Sequence, residues 1–242
     1  MEVVAQTGST NADLIARLAA GGRVAEGQWL VADRQTAGKG RQGRVWSDGQ
    51  GNFMGSTLVH ARRGDPPLHT LALVAGLAVL AAVGERLAPP RQALLKWPND
   101  LLIGPAKLAG ILLERSGDAV VIGVGVNLVE APAIPGRETV ALARFGPAPD
   151  RDTFAADLAR AFAAELQRWR DYGLGPVIAR WQAAAHPLGT PLLVGEPGEA
   201  PLVGTFGGLD ADGALLLRGH DGTTRTIHAG EVRLAPSGTG TD

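Results

Sequence analysis

Apolar and polar positions along the chain change period often enough to divide it into short elements. Asn11 to Ala20 predicts a helix, stopped by Gly21-Gly22. Ser9-Thr10-Asn11 caps it, because their hydroxyls and amide accept bonds from first-turn N–H groups. Trp29 to Ala32 and Phe53 to His60 predict strands, and Thr70 to Ala88 a buried helix. Its most apolar run, Leu71 to Val83 with Gly76 inside it, falls short of the roughly 20 residues that span a bilayer. Ala93 to Trp97 is a strand stopped by Pro98, Asp100 to Ile103 and Lys107 to Glu114 are two strands joined through Gly104-Pro105-Ala106, and Ala119 to Val129 is another. Phe154, Leu158, Phe162 and Leu166 recur at helical spacing within Asp152 to Arg170, and a second amphipathic helix covers Val177 to Ala185. After His186-Pro187 the chain alternates β-prone runs (Pro191 to Val194, Pro201 to Phe206, Ala214 to Arg218, Thr223 to His228) with turns at Asp212-Gly213 and Asp221-Gly222, the pattern of a small barrel. The expected fold class is α+β: a mixed, largely antiparallel sheet with flanking helices over residues 1–187, then a small β-barrel over 188–242.

Composition narrows the chemistry. The chain has 242 residues, 45% apolar, enough for one large domain with an appendage. Lys+Arg 23 against Asp+Glu 24 leaves a formal charge of −1, so no global basic field draws the chain to nucleic acid or acidic lipid, and any anion must be held locally. The absence of cysteine excludes disulfides, thiolate zinc sites, iron–sulfur clusters and thiol nucleophiles. Met1 to Thr7 lacks the basic and apolar regions of a secretory signal, and Glu2 argues against a transit peptide, so a cytoplasmic protein is expected. The glycines and prolines scatter without a fixed period, and no repeat architecture follows.

Two segments carry candidate chemistry. Gln35 to Arg44 places Gly38, Gly40 and Gly43 among Lys39, Arg41 and Arg44, in a polar stretch from Arg34 to Gly51 that is long for a loop. Glycines let backbone N–H groups approach an oxyanion, and the cations supply charge-assisted donors for phosphate or carboxylate. The spacing is not that of a Walker A loop, and a solvated basic turn is the plain alternative. In the second segment, Lys96-Trp97-Pro98-Asn99-Asp100 is followed by Lys107. If the flanking strands form a hairpin, Asp100 and Lys107 reach one ligand, the minimum set for a nucleotide–metal unit and for negative charge on a transferring group. A surface ion pair is the bland alternative. His60, His69, His186, His220 and His228 have no metal-ligand spacing.

These segments occur with Ser9-Thr10-Asn11 and Ile122-Gly123-Val124-Gly125-Val126-Asn127 in one fixed order. Together the blocks resemble the biotin protein ligases, whose motifs run approximately S-T-N, G-R-G-R-x-G-R-x-W, K-W-P-N-D, K-x-x-G-I-L-x-E and G-x-G-x-N. The resemblance covers essentially the whole chain. It implies a class II synthetase-like catalytic domain over 1–187 with a C-terminal SH3-like domain over 188–242. It also implies ATP-dependent transfer of biotin to a lysine of a biotin carboxyl carrier protein through biotinyl-5′-AMP, with biotin, ATP and magnesium required. Two departures stand out: Lys39 replaces the loop's first arginine and loses the planar two-pronged donor, and Gln42 replaces a later one. The S-T-N block starts at residue 9, which leads to the expectation of a monofunctional enzyme without a helix-turn-helix module, binding neither specific DNA nor membrane, as a monomer or weak homodimer.

The resemblance assigns residues. Ser9, Thr10, Asn11, Gln35, Gly38, Lys39, Gly40, Arg41, Lys107 and Gly110 are expected to bind biotin; Lys39, Arg41, Arg44, Trp46, Lys96, Asn99, Lys107, Gly123 and Asn127 are expected to bind ATP. Lys107, Arg41 and Asp100 are the expected catalytic set, with Asp100 also the candidate for magnesium. Ser9 is alternatively a helix cap alone, and Asp100 and Asn127 alternatively tie down strand ends. The loop from Gln35 to Gly49, with almost no apolar side chain to pin it, is expected to act as a lid over the adenylate. A sheet edge near Ala119 to Val129 is a candidate for self-association or carrier docking. Two rivals remain: a lipoate ligase or lipoyl/octanoyl transferase of the same fold, and a non-catalytic biotin sensor or interaction module.

Overall fold

The computed structural model describes residues 1–47, 49–89, 91–195 and 200–235. Its larger sheet contains β1 (Glu2–Thr7), β2 (Leu30–Gln35), β3 (Phe53–His60), β4 (Ala93–Lys96), β5 (Asp100–Ile103), β6 (Ala106–Ser116) and β7 (Ala119–Val126). They lie in the order β1-β2-β3-β7-β6-β5-β4. Every neighbouring pair is antiparallel except β1 and β2, which run parallel. The α+β expectation holds, and the predicted elements appear with shifted ends.

Three expectations are corrected. β1 falls in a segment not predicted as a strand: with only Val3 and Val4 strongly β-prone, Glu2–Thr7 is an edge strand that lies mostly open on its far side. β7 is not a sheet edge, because β3 and β6 pair with it along its whole length. It therefore offers no free backbone for docking. The segment from Arg34 to Gly51 is not featureless, since Lys39 and Val45 bridge antiparallel and Trp46 N–H donates to Gly38 O at 2.9 Å.

The two faces of the sheet differ. One is covered by α1 (Thr10–Ala19), whose Leu14 packs with Leu30, Leu58 and Val121 in a small core. The other supports α2 (Leu71–Gly84), α3 (Arg151–Tyr172) and α4 (Leu174–Ala183) over the main core. α2 is apolar on nearly every side because the sheet and both later helices enclose it. Trp29 sits edge-on to Phe162 at 5.8 Å and Phe53 lies 5.5 Å from Phe154, so aromatic rings join sheet to α3.

Strand alternation then shapes the α1 face. On β7, Val120, Ile122, Val124 and Val126 point into the main core, which leaves Val121, Gly123 and Gly125 on the α1 side. Opposite Gly125 on β6 stands Gly110. Three glycines on adjacent strands thus leave a groove where side chains would otherwise stand.

The second sheet is antiparallel in the order β11-β10-β9-β8-β12, from β8 (Pro191–Gly195), β9 (Leu202–Leu209), β10 (Leu215–Arg218), β11 (Thr224–Ile227) and β12 (Glu231–Leu234). β12 was not predicted; four residues of alternating charge and aliphatic side chain are too short a signal. Trp97 Nε1 donates to Gly213 O at 3.1 Å and fastens this sheet to the end of β4.

Candidate active site

Ser9 caps α1 as expected, its Oγ accepting from Ala12 N at 3.5 Å. The cap aims the next two residues inward, where both are buried. Gln35 Oε1, at the end of β2, accepts from Thr10 N at 2.8 Å and from Thr10 Oγ1 at 3.1 Å. Thr10 Oγ1 lies 2.6 Å from Ser56 Oγ, which donates to Asn11 Oδ1 at 2.6 Å. Asn11 Nδ2 donates to Glu114 Oε2 at 2.7 Å. These contacts form one chain from β2 through α1 and β3 to β6. Gly123 is required where Asn11 crosses β7: a Cβ there would stand 2.5 Å from Asn11 Oδ1. Ser56 and Glu114 were not assigned roles from sequence. Glu114 closes the K-x-x-G-I-L-x-E block and was visible there; Ser56 sits in an ordinary strand pattern and had no signal.

Trp46 occupies the rest of the groove. A Cβ on Gly125 would stand 2.3 Å from its indole, and one on Gly110 would stand 3.1 Å from it. Trp46 is thus an apolar side chain that does pin the loop expected to have almost none. Gly40 N–H donates to Arg44 O at 2.7 Å, and Gln42, at the loop tip, adopts φ 57°. Lys39 is exposed, with its backbone in the bridge to Val45.

The hairpin of β5 and β6 brings Asp100 and Lys107 together as expected. Lys107 Nζ is 2.5 Å from Asp100 Oδ1, and Lys96 Nζ is 3.0 Å from Asp100 Oδ2. All three side chains are largely buried. Burial alone would raise the Asp100 carboxyl, but the Lys107 and Lys96 ammoniums hold it far below the usual carboxylate range. Burial pulls Lys107 below the ordinary lysine value, and Asp100 opposes that pull. The ammonium also faces Trp46, 5.7 Å from its ring centroid.

The remaining expected residues border this pair. Arg41 Nη1 donates to Asn99 Oδ1 at 3.3 Å, and Asn99 Nδ2 donates to Ile111 O at 2.6 Å. Asn127 Nδ2 donates to Val140 O at 3.2 Å, holding the segment at 137–140 against Lys107. Arg44 leaves this group and pairs with Glu231 of the second sheet. Each Asp100 carboxylate oxygen takes a lysine in this geometry. Among the described residues no group of three or more His, Cys, Asp or Glu is placed to hold a metal.

The arrangement joins a hydrogen-bonded polar cluster to a cluster of cations, suited to a ligand with a polar ring at one end and an anion at the other. Sequence comparison agrees. The Biotin/lipoate A/B protein ligase family matches residues 13–127, and the biotin protein ligase C terminal domain matches residues 194–234. Across 96% of this chain and 88% of the relative, the sequence is 40% identical to a biotin--[acetyl-CoA-carboxylase] ligase of Mycobacterium tuberculosis. Its counterpart from Paracoccus denitrificans is 39% identical over 95% of this chain and 98% of its own. The biotin protein ligase of Aquifex aeolicus, solved in complex with biotin and ATP, superposes with a TM-score of 0.82 at 26% identity, over 97% of this chain and 99% of that one. The chain belongs to the biotin protein ligase family.

Proposed function

We propose that this protein joins biotin to a lysine of a biotin carboxyl carrier protein in two steps in one site. The biotin carboxylate attacks the α-phosphorus of ATP and pyrophosphate leaves. The carrier lysine then attacks the carbonyl carbon of biotinyl-5′-AMP and AMP leaves. The observation that carries this reading is the glycine floor of Gly123, Gly125 and Gly110, covered by Asn11 and Trp46, which has the hydrogen-bonded side chains of Thr10, Asn11, Gln35 and Ser56 at one end and Lys107 at the other.

The donors and acceptors of the first end suit the ureido ring of biotin, which needs both in an otherwise apolar pocket. Glu114 keeps the Asn11 amide oriented. Lys107 stands where a fixed cation meets the carboxylate–phosphate junction and stabilises charge that develops at phosphorus. Asp100 opposes the pull of burial on Lys107 and aims its Nζ. Lys39 and Arg41, with Gly38 and Gly40, supply the loop's contacts to carboxylate and phosphate, while Arg44, Lys96 and Asn99 serve the nucleotide. Magnesium would arrive with the ATP phosphates, since none of these residues is placed as its cage.

Mass spectrometry of a carrier domain incubated with the protein, biotin and Mg-ATP tests the reading. A gain of one biotin on one lysine is expected. No gain with biotin, but a gain with lipoate and a lipoyl domain, would replace biotin by lipoate as the substrate. No adenylate from either acid would leave a sensor.

A further inference from the structure

Three consecutive residues where β12 begins hold four cations of the site. Gly230 O accepts from Arg41 Nη2 at 3.4 Å, and Val232 O accepts from Lys96 Nζ at 2.7 Å. Between them, the Glu231 carboxylate takes both terminal nitrogens of Arg44 and also Arg137 Nη2 at 3.0 Å. Arg137 had no signal in the sequence. Its segment nonetheless runs beside the reacting centre: Lys107 N–H donates to Glu138 O at 2.9 Å, and Thr139 bridges Lys107 in parallel.

Arg44 comes from the glycine-rich loop and Arg137 from the segment after β7. The two segments also meet where Asn52 Oδ1, at the end of the loop, accepts from Val129 N and Glu130 N, but Glu231 is the carboxylate on which their two arginines converge. Two guanidiniums close together repel, and two long side chains without a fixed partner must be immobilised each time an anion binds. A carboxylate shared between them removes both costs, and because only some of the N–H groups point at Glu231, each arginine keeps donors for an incoming oxyanion.

We propose that Glu231 is a positioning residue which fixes Arg44 and Arg137 as a two-arginine grip for the triphosphate of ATP, so that the second sheet takes part in nucleotide binding. The proposal rests on the ATP-dependent reading above. A carboxylate that merely competed with phosphate for the arginines would have the opposite effect, and a plain strut between the sheets would have none on ATP.

The test is pyrophosphate release at saturating biotin by Glu231→Gln, Glu231→Asp and Arg137→Gln. Both glutamine variants should raise KM for ATP by about 10-fold, with the biotin dissociation constant unchanged in titration. Glu231→Asp should recover part of the loss, and the double glutamine variant should be no worse than the poorer single one. A lower KM for ATP would mean that Glu231 competes with phosphate and would overturn the proposal. An unchanged KM with a lower melting temperature would overturn it in favour of a strut. Should Glu231→Gln lose its near-ultraviolet circular dichroism, Arg137→Gln decides alone. Absence of pyrophosphate release from the unsubstituted protein would instead strike the ATP reading itself, before any variant is compared.

Discussion

Gln35, Thr10, Ser56, Asn11 and Glu114 are joined by one chain of short hydrogen bonds, whereas Lys96, Lys107, Arg44 and Arg137 share the carboxylates of Asp100 and Glu231. In the first region each side chain is hydrogen-bonded to a neighbour in that chain of bonds, which holds its shape. The second sets four cations against two anions, is held by those shared carboxylates, and keeps an excess of positive charge. The contrast matches the two ends of the ligand: a neutral ring exchanges hydrogen bonds one for one, while a phosphate chain supplies the missing negative charge. On the proposed function, specificity for the acid would belong to the first region and rate to the second.

Substitutions can separate these two roles. Lys107→Ala should have the largest effect, cutting pyrophosphate release by roughly 100- to 1000-fold while biotin affinity changes far less. Asp100 keeps Lys96 as a partner in this variant, so the protein should still fold. Equal losses in biotin affinity and in rate would erase the division.

Asp100→Asn is expected to cost about 3 kcal/mol of unfolding free energy, because it strands two buried ammoniums. Its pH dependence is more diagnostic. Asp100 opposes the pull of burial on Lys107, so without it the folded-state pKa of Lys107 falls further and the ammonium is lost at lower pH. The basic limb of the adenylation profile should therefore move down. On the acid side, the depressed carboxyl of Asp100 contributes stability that is complete above about pH 4 and is lost as pH falls through its folded value. Acid titrations of unfolding should lose that component in the variant.

Arg41→Gly removes the bonds to Asn99 and Gly230 and should speed adenylate escape by about 10- to 150-fold, with a smaller loss of synthesis. Trapping of released adenylate measures it, and unchanged escape would remove the loop as a lid. Ser56→Ala should have the smallest effect, weakening biotin by about 5- to 30-fold with KM for ATP unchanged, since Thr10 and Asn11 lose a shared partner. A change confined to ATP would contradict the assignment of this region to the acid.

Much of this contrast could be read in the sequence because its residues cluster in short blocks. Asp100 and Lys107 are brought together by a hairpin that their spacing already specified. Gly110 and Gly125 were visible as letters in two blocks, but their meaning depends on β6 pairing with β7 in a register that sets them opposite each other beneath Trp46. Ser56, Arg137 and Glu231 were not legible, since each acts across a contact between distant segments and none departs from its local pattern. β1 and β12 were missed for a related reason: short edge strands carry few of the alternating apolar positions that give strands away.

The seam between β3 and β7 has a consequence for how the molecule is assembled. β4 to β7 pair in sequence order as a meander, whereas β3 meets β7 across the whole of α2 and the β4–β6 hairpins, with His60 opposite Ala119. Short closures form early and long ones late. Ser56 and Gly123 face each other across that late seam, so the ligand groove is among the last features to exist. Occupancy by biotin is in that case a certificate of finished folding, available to no partly built chain. In a refolding experiment the biotin-dependent signal should lag behind far-ultraviolet circular dichroism, and simultaneous appearance would show that the seam closes with the meander.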